Sequence, residues 1–328
     1  MINISIMKKS VIIYLLIIFA PAVYSQSEKQ LVPSDLKQQT VVTETVTLRK
    51  GFLRVGTLLN YRVVDKYFTD TGKKEYYVTS TWGSKSAYNL TLQYGLSDRF
   101  QIDLITEYMN MRQESQSTEI VAATNSTKIT VARQKGLGIG DSHVSLKYQL
   151  LPEAKYKLSL TGALNVTVPT GEKNPKNILS ANQYDLPVGD GTYSIGLNLS
   201  ARSIAYPYSF TCYLGYTKNF TGTKIINAAD PIEKKFRFGN IFEGGLGANL
   251  HLNEWIVMAN EINFYHEGQG KIDNIISDKM PVSWAASYEP SLIFQVKRFR
   301  LGESVKIPVK GKNVPADPLY VVMIQYVF

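Results

Sequence analysis

The chain has 328 residues, of which 44% are hydrophobic and 11% aromatic, and it carries a formal net charge of +9. Its single cysteine, Cys212, cannot form an intramolecular disulfide, which excludes a small extracellular scaffold held together by disulfides. After Ser25 no apolar stretch approaches the ~20 residues of a membrane-spanning helix, so a helical membrane protein is excluded as well.

The first 25 residues have the features of a secretory signal peptide. Lys8 and Lys9 form a basic start, residues 11–20 are apolar, and small residues precede a predicted cleavage before Gln26. The apolar run is about half the ~20 residues of a spanning helix, which argues against a membrane anchor. No cysteine follows the cut, so lipid attachment at a new N-terminal cysteine is excluded. Residues 26–50, which are polar and rich in Gln and Thr, are expected to form a periplasmic lead-in or a small plug.

From residue 51 onwards, apolar and polar residues alternate in segment after segment. In residues 51–63, Leu53, Val55 and Tyr61 fall on one face of an extended strand, and Arg54 and Arg62 fall on the other. The further alternating segments are residues 88–94, 100–108, 143–150, 158–168, 193–202, 208–216, 242–252, 255–264, 283–296, 299–308 and 320–328. The pattern predicts twelve strands, each with an apolar and a polar face.

Two residues depart from this alternation. Asn260 falls in the apolar row of residues 255–264. Pro290 lies inside residues 283–296, and because proline has no amide donor it predicts a bulge at that position.

The connections between the strands alternate in length. Five are short, five are long (64–85, 110–137, 169–190, 219–237 and 266–282), and the last one, 309–318, is intermediate. A soluble β-sandwich would show the same alternation of residues, but not this asymmetry of its connections. Residues 51–328 are therefore predicted to be all-β: a closed, antiparallel, up-and-down transmembrane β-barrel of about 12 strands, with long extracellular loops and short periplasmic turns.

The last nine residues, YVVMIQYVF, form an alternating strand that ends on an aromatic residue. In a bilayer an unpaired strand edge is costly, so this strand is expected to pair with residues 51–63 and close the barrel. Tyr320, Tyr326 and Phe328 would then face outwards, with Phe328 at the periplasmic interface. A terminal strand of this kind resembles the signal that the barrel-assembly machinery of Gram-negative bacteria reads, so that machinery is an expected partner.

Three glycine-containing motifs resemble those of one protein family. They are GLGIGDSHVSLKYQL at 136–150, NVTVPTGE at 165–172 and VGDGTYSIGLNLSAR at 188–202. Together they are similar to motifs of the outer-membrane proteins grouped as the MetA-pathway of phenol degradation family, and the resemblance covers residues 88–328. It implies an outer-membrane channel or transporter for small, hydrophobic or aromatic compounds.

The glycines of the first motif do not form a nucleotide site. Gly136, Gly138 and Gly140 are followed at once by Asp141, which does not satisfy the G-x-G-x-x-G spacing, and no helix follows. We expect these glycines to relieve crowding where the chain re-enters the barrel.

The histidines are the residues that most resemble catalytic or metal-binding groups. His143 and Ser145 are two residues apart, as in an outer-membrane phospholipase, but in that enzyme the pair faces lipid. Here the apolar row that begins at Val144 takes the lipid side, so the pair is expected to face inwards, away from an acyl substrate. His251 and His266 have no second ligand at metal spacing. No enzyme, metal or cofactor is therefore expected.

The inward row holds the candidate lumen-lining residues. They are Arg54, Arg62, Asp103, Glu107, His143, Lys147, Arg202, Glu243, Glu261 and Glu289. These charges either pair across the interior and fill it, or line a narrow path whose selectivity they set. The basic charge is spread over loops and interior, which favours membrane lipid and anionic lipopolysaccharide as partners and not nucleic acid.

Three functions remain open on the sequence. The first is a channel or transporter for a small-molecule solute. The second is a structural or surface-interaction barrel that acts through its outer loops. The third, a lipid-modifying enzyme, depends on His143 and Ser145 alone.

Overall fold

The computed structural model describes residues 45–76, 82–121, 126–152, 158–180, 183–228 and 230–328. The predicted signal peptide and residues 26–44 of the predicted lead-in lie outside these ranges. Within the described ranges, no helix is long and apolar enough to cross a membrane.

Twelve antiparallel strands form one closed sheet. They are β1 (Leu53–Val64), β2 (Trp82–Gly95), β3 (Phe100–Val121), β4 (Ser126–Leu151), β5 (Leu158–Val168), β6 (Ser194–Ala205), β7 (Tyr208–Asn219), β8 (Ile241–His251), β9 (Ile256–Glu267), β10 (Ser283–Val296), β11 (Phe299–Lys312) and β12 (Leu319–Val327). Each strand pairs with its neighbours in the chain, and β12 pairs with β1, from Arg54 opposite Val327 to Tyr61 opposite Tyr320. The prediction of an all-β, closed, twelve-stranded antiparallel barrel is confirmed.

The two ends of the barrel differ. Tight connections join β2 to β3, β4 to β5, β6 to β7, β8 to β9 and β10 to β11, and we call this the short-turn end. The opposite, long-loop end carries nine short strands: Lys66–Phe68, Lys74–Tyr76, Lys176–Ser180, Gln183–Asp185, Gly222–Asn227, Asp230–Arg237, Lys271–Ile272, Ile275–Ile276 and Val314–Pro315. Four of these, within residues 222–276, form a separate four-stranded sheet that we call the loop sheet.

The long connection predicted for residues 110–137 is wrong. β3 continues to Val121 and β4 begins at Ser126, so these residues form a protruding hairpin. Polar residues occupy both faces at the start of this stretch, because Gln113 lies opposite Gln134 on one face and Glu114 lies opposite Arg133 on the other. An antiparallel pair with two polar faces can stay hydrogen-bonded in water, so the ladder does not end where the apolar row ends.

The predicted bulge at Pro290 is also displaced. Pro290 lies opposite Asn260 of β9, and the β10–β11 register is the same on both sides of it. The register shift occurs instead between Ala286 and Ser287, where Ser287 faces Pro308 of β11. Pro308, which like Pro290 lacks an amide donor, is therefore the proline that lies at the register shift.

The two rows of each strand have different surroundings. In β6, Ile195, Leu197 and Leu199 are exposed on the outside, whereas Ser200 and Arg202 are buried inside. The outer row is apolar on most strands, and Asn260 within it accepts a hydrogen bond from the hydroxyl of Tyr288. The outside of the barrel is therefore an apolar belt, and the Asn260 side chain within it is hydrogen-bonded.

The interior also contains apolar side chains. Ile293 of β10 and Val321 and Met323 of β12 are almost fully buried, with Leu58 and Val257 packed against them. The expectation of a hydrophilic inner row is therefore incomplete, because this part of the wall forms a small hydrophobic core inside the barrel.

Candidate functional site

A cluster of carboxylates lies on the inner face of β8, β9 and β10. Glu261 and Glu289 are directly opposite each other on neighbouring strands. Like charges in that position destabilise a sheet, so the pair needs compensation. Two hydrogen-bond donors stabilise the Glu289 carboxylate, Asn263 Nδ2 at 3.2 Å and Ser304 Oγ at 2.7 Å. We call Glu243, Glu261 and Glu289 the acidic cluster.

Glycines on the inner face make room for the large residues beside this cluster. A Cβ on Gly245 would lie 2.4 Å from the ring of Tyr213, and a Cβ on Gly215 would lie 2.9 Å from Glu243 Cγ. Tyr213 therefore lies over Gly245, where its hydroxyl donates to Asn263 Oδ1 at 2.7 Å. The ring and the carboxylates occupy the same part of the interior.

The interior near the short-turn end is filled by a polar network. Asp103, which is 2% exposed, pairs with Lys147 Nζ at 2.8 Å. It also accepts hydrogen bonds from Gln93 Nε2 and Gln101 Nε2. Buried charges are tolerated when they are paired and hydrogen-bonded in this way.

Residues 45–50, which precede β1, contact this network. Ser159 Oγ and Thr161 Oγ1 donate to the carbonyl of Thr45 at 2.7 and 2.8 Å. The Thr47 hydroxyl lies 3.0 Å from Gln149 Oε1. The amide of Leu48 donates to Gln101 Oε1 at 2.6 Å. The backbone of this short segment is therefore bound by side chains of the interior row.

At the long-loop end, one carboxylate fastens the connection between β5 and β6. Asp141 is 6% exposed. Its Oδ1 accepts from the amide of Gly171 at 3.0 Å, and its Oδ2 accepts from the amide of Asp190 at 2.8 Å. We call this arrangement the Asp141 lock. It brings the three sequence motifs together, since each of them supplies one of its residues.

The locked connection enters the barrel. Val188 is buried in a cluster with Ala87 of β2 and Met109 of β3, both of which belong to the interior row. A Cβ on Gly136 would lie 2.7 Å from the carbonyl oxygen of Leu186, and a Cβ on Gly140 would lie 2.9 Å from Met109. The glycines of the first motif therefore leave space for residues 186–190 against the inner face of β4.

One ion pair holds the outer part of the same connection to the loop sheet, and a second ion pair lies within the connection. Glu172 Oε2 lies 2.6 Å from Lys176 Nζ, and Glu233 Oε1 lies 3.1 Å from Lys173 Nζ. The bond from Lys176 lowers the pKa of Glu172, and bonds from Asn174 and Lys173 lower the pKa of Glu233. Glutamates with lowered pKa values contribute to this attachment above their unfolded pKa, and the contribution is lost as the pH falls through the folded pKa.

Acidification is therefore expected to loosen the attachment of residues 172–176. A fluorophore on Ile232→Cys, in a Cys212→Ser background, should show falling anisotropy as the pH drops below about 4.3, the ordinary glutamate pKa. Glu172→Gln/Glu233→Gln should have low anisotropy at every pH. Equal anisotropy of the parent and of Glu172→Gln/Glu233→Gln at neutral pH would contradict this assignment.

The sequence-predicted lumen residues fall into separate groups. Asp103 and Lys147 form an ion pair, and Glu261 and Glu289 are cross-strand neighbours. Of the remaining basic residues, Arg54 donates to Gln93 Oε1 at 3.1 Å, Arg62 is half-buried near the long-loop end of β1, and Arg202 is 2% exposed on β6. His143 Nδ1 is 3.0 Å from Thr167 Oγ1. Glu107 lies beside Gly140, and Glu243 lies beside Gly215.

Sequence reasoning missed the residues that bring the loop inside. Asp141 was read only as a departure from a nucleotide motif, and Val188 only as part of a family motif. The repeated Gly-Asp and Thr-Gly pairs were the feature of the sequence that could have indicated this contact, because short side chains and glycines allow two backbone segments to approach closely. Strand periodicity could not show that these pairs meet.

No family model matches the sequence. Among solved structures, the COG4313 outer membrane channel from Pseudomonas putida F1 is similar over 87% of this chain and 98% of that chain, with a TM-score of 0.66 and 15% identity. The CymD monoaromatic hydrocarbon channel is more distant, at TM-score 0.43 and 8% identity over 85% of this chain and 88% of that one. The NanC porin matches at TM-score 0.41 and 8% identity over 82% and 98%. At such identities the similarity to the first of these establishes the barrel fold alone.

Proposed function

We propose that the protein spans the outer membrane and acts as a gated channel for small solutes. The apolar belt faces lipid, the long-loop end faces outwards, and the charged interior forms the path. The exposed apolar row supports the membrane location, because lipid-facing residues of such barrels are apolar and inner ones polar. The similarity in fold to an outer membrane channel agrees with it.

The observation that carries the proposal is the connection that enters the barrel at the Asp141 lock. A barrel that serves only as an anchor or a loop platform has no need to hold one of its own loops inside. Two partly buried amide-to-carboxylate hydrogen bonds hold it there. We infer that residues 186–190 close the path at the long-loop end in the resting state.

The last part of the lead-in, residues 45–50, closes the short-turn end of the barrel. Four side chains of the interior row bind residues 45–48. Together with the Asp103 network, they leave the interior near the short-turn end occupied. Residues 45–50 thus act as part of a plug, and flux requires this segment to move.

The solute is small and hydrophobic or aromatic. The motif resemblance to the MetA-pathway of phenol degradation family supports this class. The apolar interior patch of Ile293, Val321 and Met323 supports it as well, because it offers the inner path an apolar surface once it opens. Small-molecule sites combine such surfaces with a few polar groups.

Planar-bilayer recording tests the channel and its plug. The mature chain is expected to give small, infrequent conductance steps, and deletion of residues 26–48 should make them larger and more frequent because the interior bonds to residues 45–48 are lost. Deletion of residues 26–40 is the matched control. An increase with the longer deletion alone assigns the seal to residues 41–48, and an increase with both assigns it to residues 26–40.

Silence of all three proteins in the bilayer would refute the channel. Liposome swelling with a panel of aromatic and sugar solutes then tests the solute class. Faster swelling with sugars than with aromatic solutes would contradict the hydrophobic assignment.

A further inference from the structure

We propose that the loop sheet carries a binding site for the phosphate groups of lipopolysaccharide. The site consists of Lys235, Arg237 and Lys271, which surround a cleft of about 70 Å³ that Thr221 and Asn274 also line. We call these three basic residues the cation triad. The proposal rests on the outer-membrane location proposed above.

The cation triad has an unbalanced charge. Arg237 and Lys271 are directly opposite each other on paired strands, and like charges in that position destabilise a sheet. Within the described part of the chain, no member of the triad forms a salt bridge. The nearby carboxylate of Asp273 accepts from the backbone amide of Lys235 at 3.1 Å, so one of its oxygens is engaged. A bound anion would relieve the repulsion that remains.

The triad is also held in place. Asp273 and Asn274 both have positive φ angles, 51° and 66°, as in the two-residue turns that join tight hairpins. The amide of Asp273 donates to the carbonyl of Lys235 at 2.7 Å. This hairpin therefore docks on the strand that carries Lys235 and Arg237, and it fixes Lys271 beside them. Preorganised donors lose little entropy when they bind an anion.

The position of the cleft favours a lipid phosphate. Thr221 is two residues beyond the end of β7, and Arg237 and Lys271 are each four residues from a barrel strand. Four residues of chain span at most about 14 Å, so the cleft lies close to the rim of the apolar belt. Exposed Phe220 and Phe242 mark that rim, since aromatic residues favour the headgroup level.

A further cation is placed on the outer side of the same rim. Lys218 belongs to the exposed row of β7, and its ammonium lies 5.7 Å from the centre of the Phe220 ring. Its position beside an interfacial aromatic residue is compatible with a negatively charged headgroup layer.

The small volume of the cleft fits one phosphate group and not a whole sugar chain. Arginine and lysine are the usual ligands of phosphate oxygens.

Native mass spectrometry of the full mature chain, refolded in detergent without lipopolysaccharide, tests the proposal. Lipid A carrying both phosphates should bind more tightly than dephosphorylated lipid A. The Lys235→Ala/Arg237→Ala/Lys271→Ala variant should lose at least about tenfold in affinity for the phosphorylated form, which corresponds to ~1.4 kcal/mol. The matched control Lys73→Ala/Lys74→Ala/Lys310→Ala removes the same charge from exposed residues elsewhere and should bind as the wild type does.

Several results would overturn the site. Equal binding of the two lipid A forms would exclude phosphate recognition, and equal losses in the two triple variants would reduce the effect to net charge. Inorganic pyrophosphate that displaces lipid A at equal concentration would indicate a soluble-anion site. The heat-dependent gel mobility of each variant reports whether its barrel is folded. Bilayer conductance is measured separately, so failure of the lipid site and failure of the channel are distinguishable.

Discussion

Asp141→Ala is expected to open the long-loop end of the barrel. The substitution removes the acceptor of the Gly171 and Asp190 amides; both hydrogen bonds are partly buried, and each contributes about 0.5–1.5 kcal/mol. A combined loss of roughly 1–3 kcal/mol changes the ratio of closed to open loop by about fivefold or more. Residues 186–190 should then leave the interior, and conductance should rise.

Loop release can be measured directly. Val188→Cys in a Cys212→Ser background should react slowly with a membrane-impermeant maleimide, because Val188 is 4% exposed. The reaction should accelerate when Asp141→Ala is added. Asp141→Asn, which keeps one acceptor oxygen, should give an intermediate rate.

Asp185→Ala is the control for the removal of a carboxylate from this region. Asp185 accepts a hydrogen bond from Asn177 within the same connection, and it takes no part in the Asp141 lock. Its labelling rate and conductance should match those of the parent. If Asp141→Ala also leaves both values unchanged, the lock does not hold the channel closed.

Glu261→Gln/Glu289→Gln is expected to abolish a preference for cations. The acidic cluster holds three carboxylates, and rings of carboxylates select cations in membrane pores. Lys306, on the inner row of β11, is the basic residue that acts electrostatically on Glu261 and Glu243. Removing two of the three negative charges leaves Glu243 balanced by this lysine. The reversal potential in a potassium chloride gradient should therefore move towards zero.

The double variant should remain folded. It removes the repulsion between two directly opposed carboxylates, and glutamine at position 289 still has an amide oxygen for Asn263 or Ser304. Glu75→Gln/Glu254→Gln neutralises two exposed carboxylates and should keep the wild-type reversal potential. Equal shifts in both double variants would assign the selectivity to net charge and not to the acidic cluster.

The sequence by itself determined the barrel and the direction of its side chains. Leu197 faces out and Arg202 faces in because the side-chain period of a strand is two residues, a property that is encoded locally and repeats in every strand. Closure through YVVMIQYVF follows from the same row, since its apolar residues alternate in register with those of the first strand.

Only the tertiary structure decided what occupies the interior. Asp141 lies 30 residues before Gly171 and 49 residues before Asp190, and no periodicity of the sequence relates the three. They meet because strand pairing places the end of β5 beside the middle of β4 and the start of β6 beside the end of β5, with glycines at 136 and 140 leaving space for the loop. The same holds for residues 45–48. Their position depends on side chains from β3, β4 and β5 that are adjacent only after the sheet has formed.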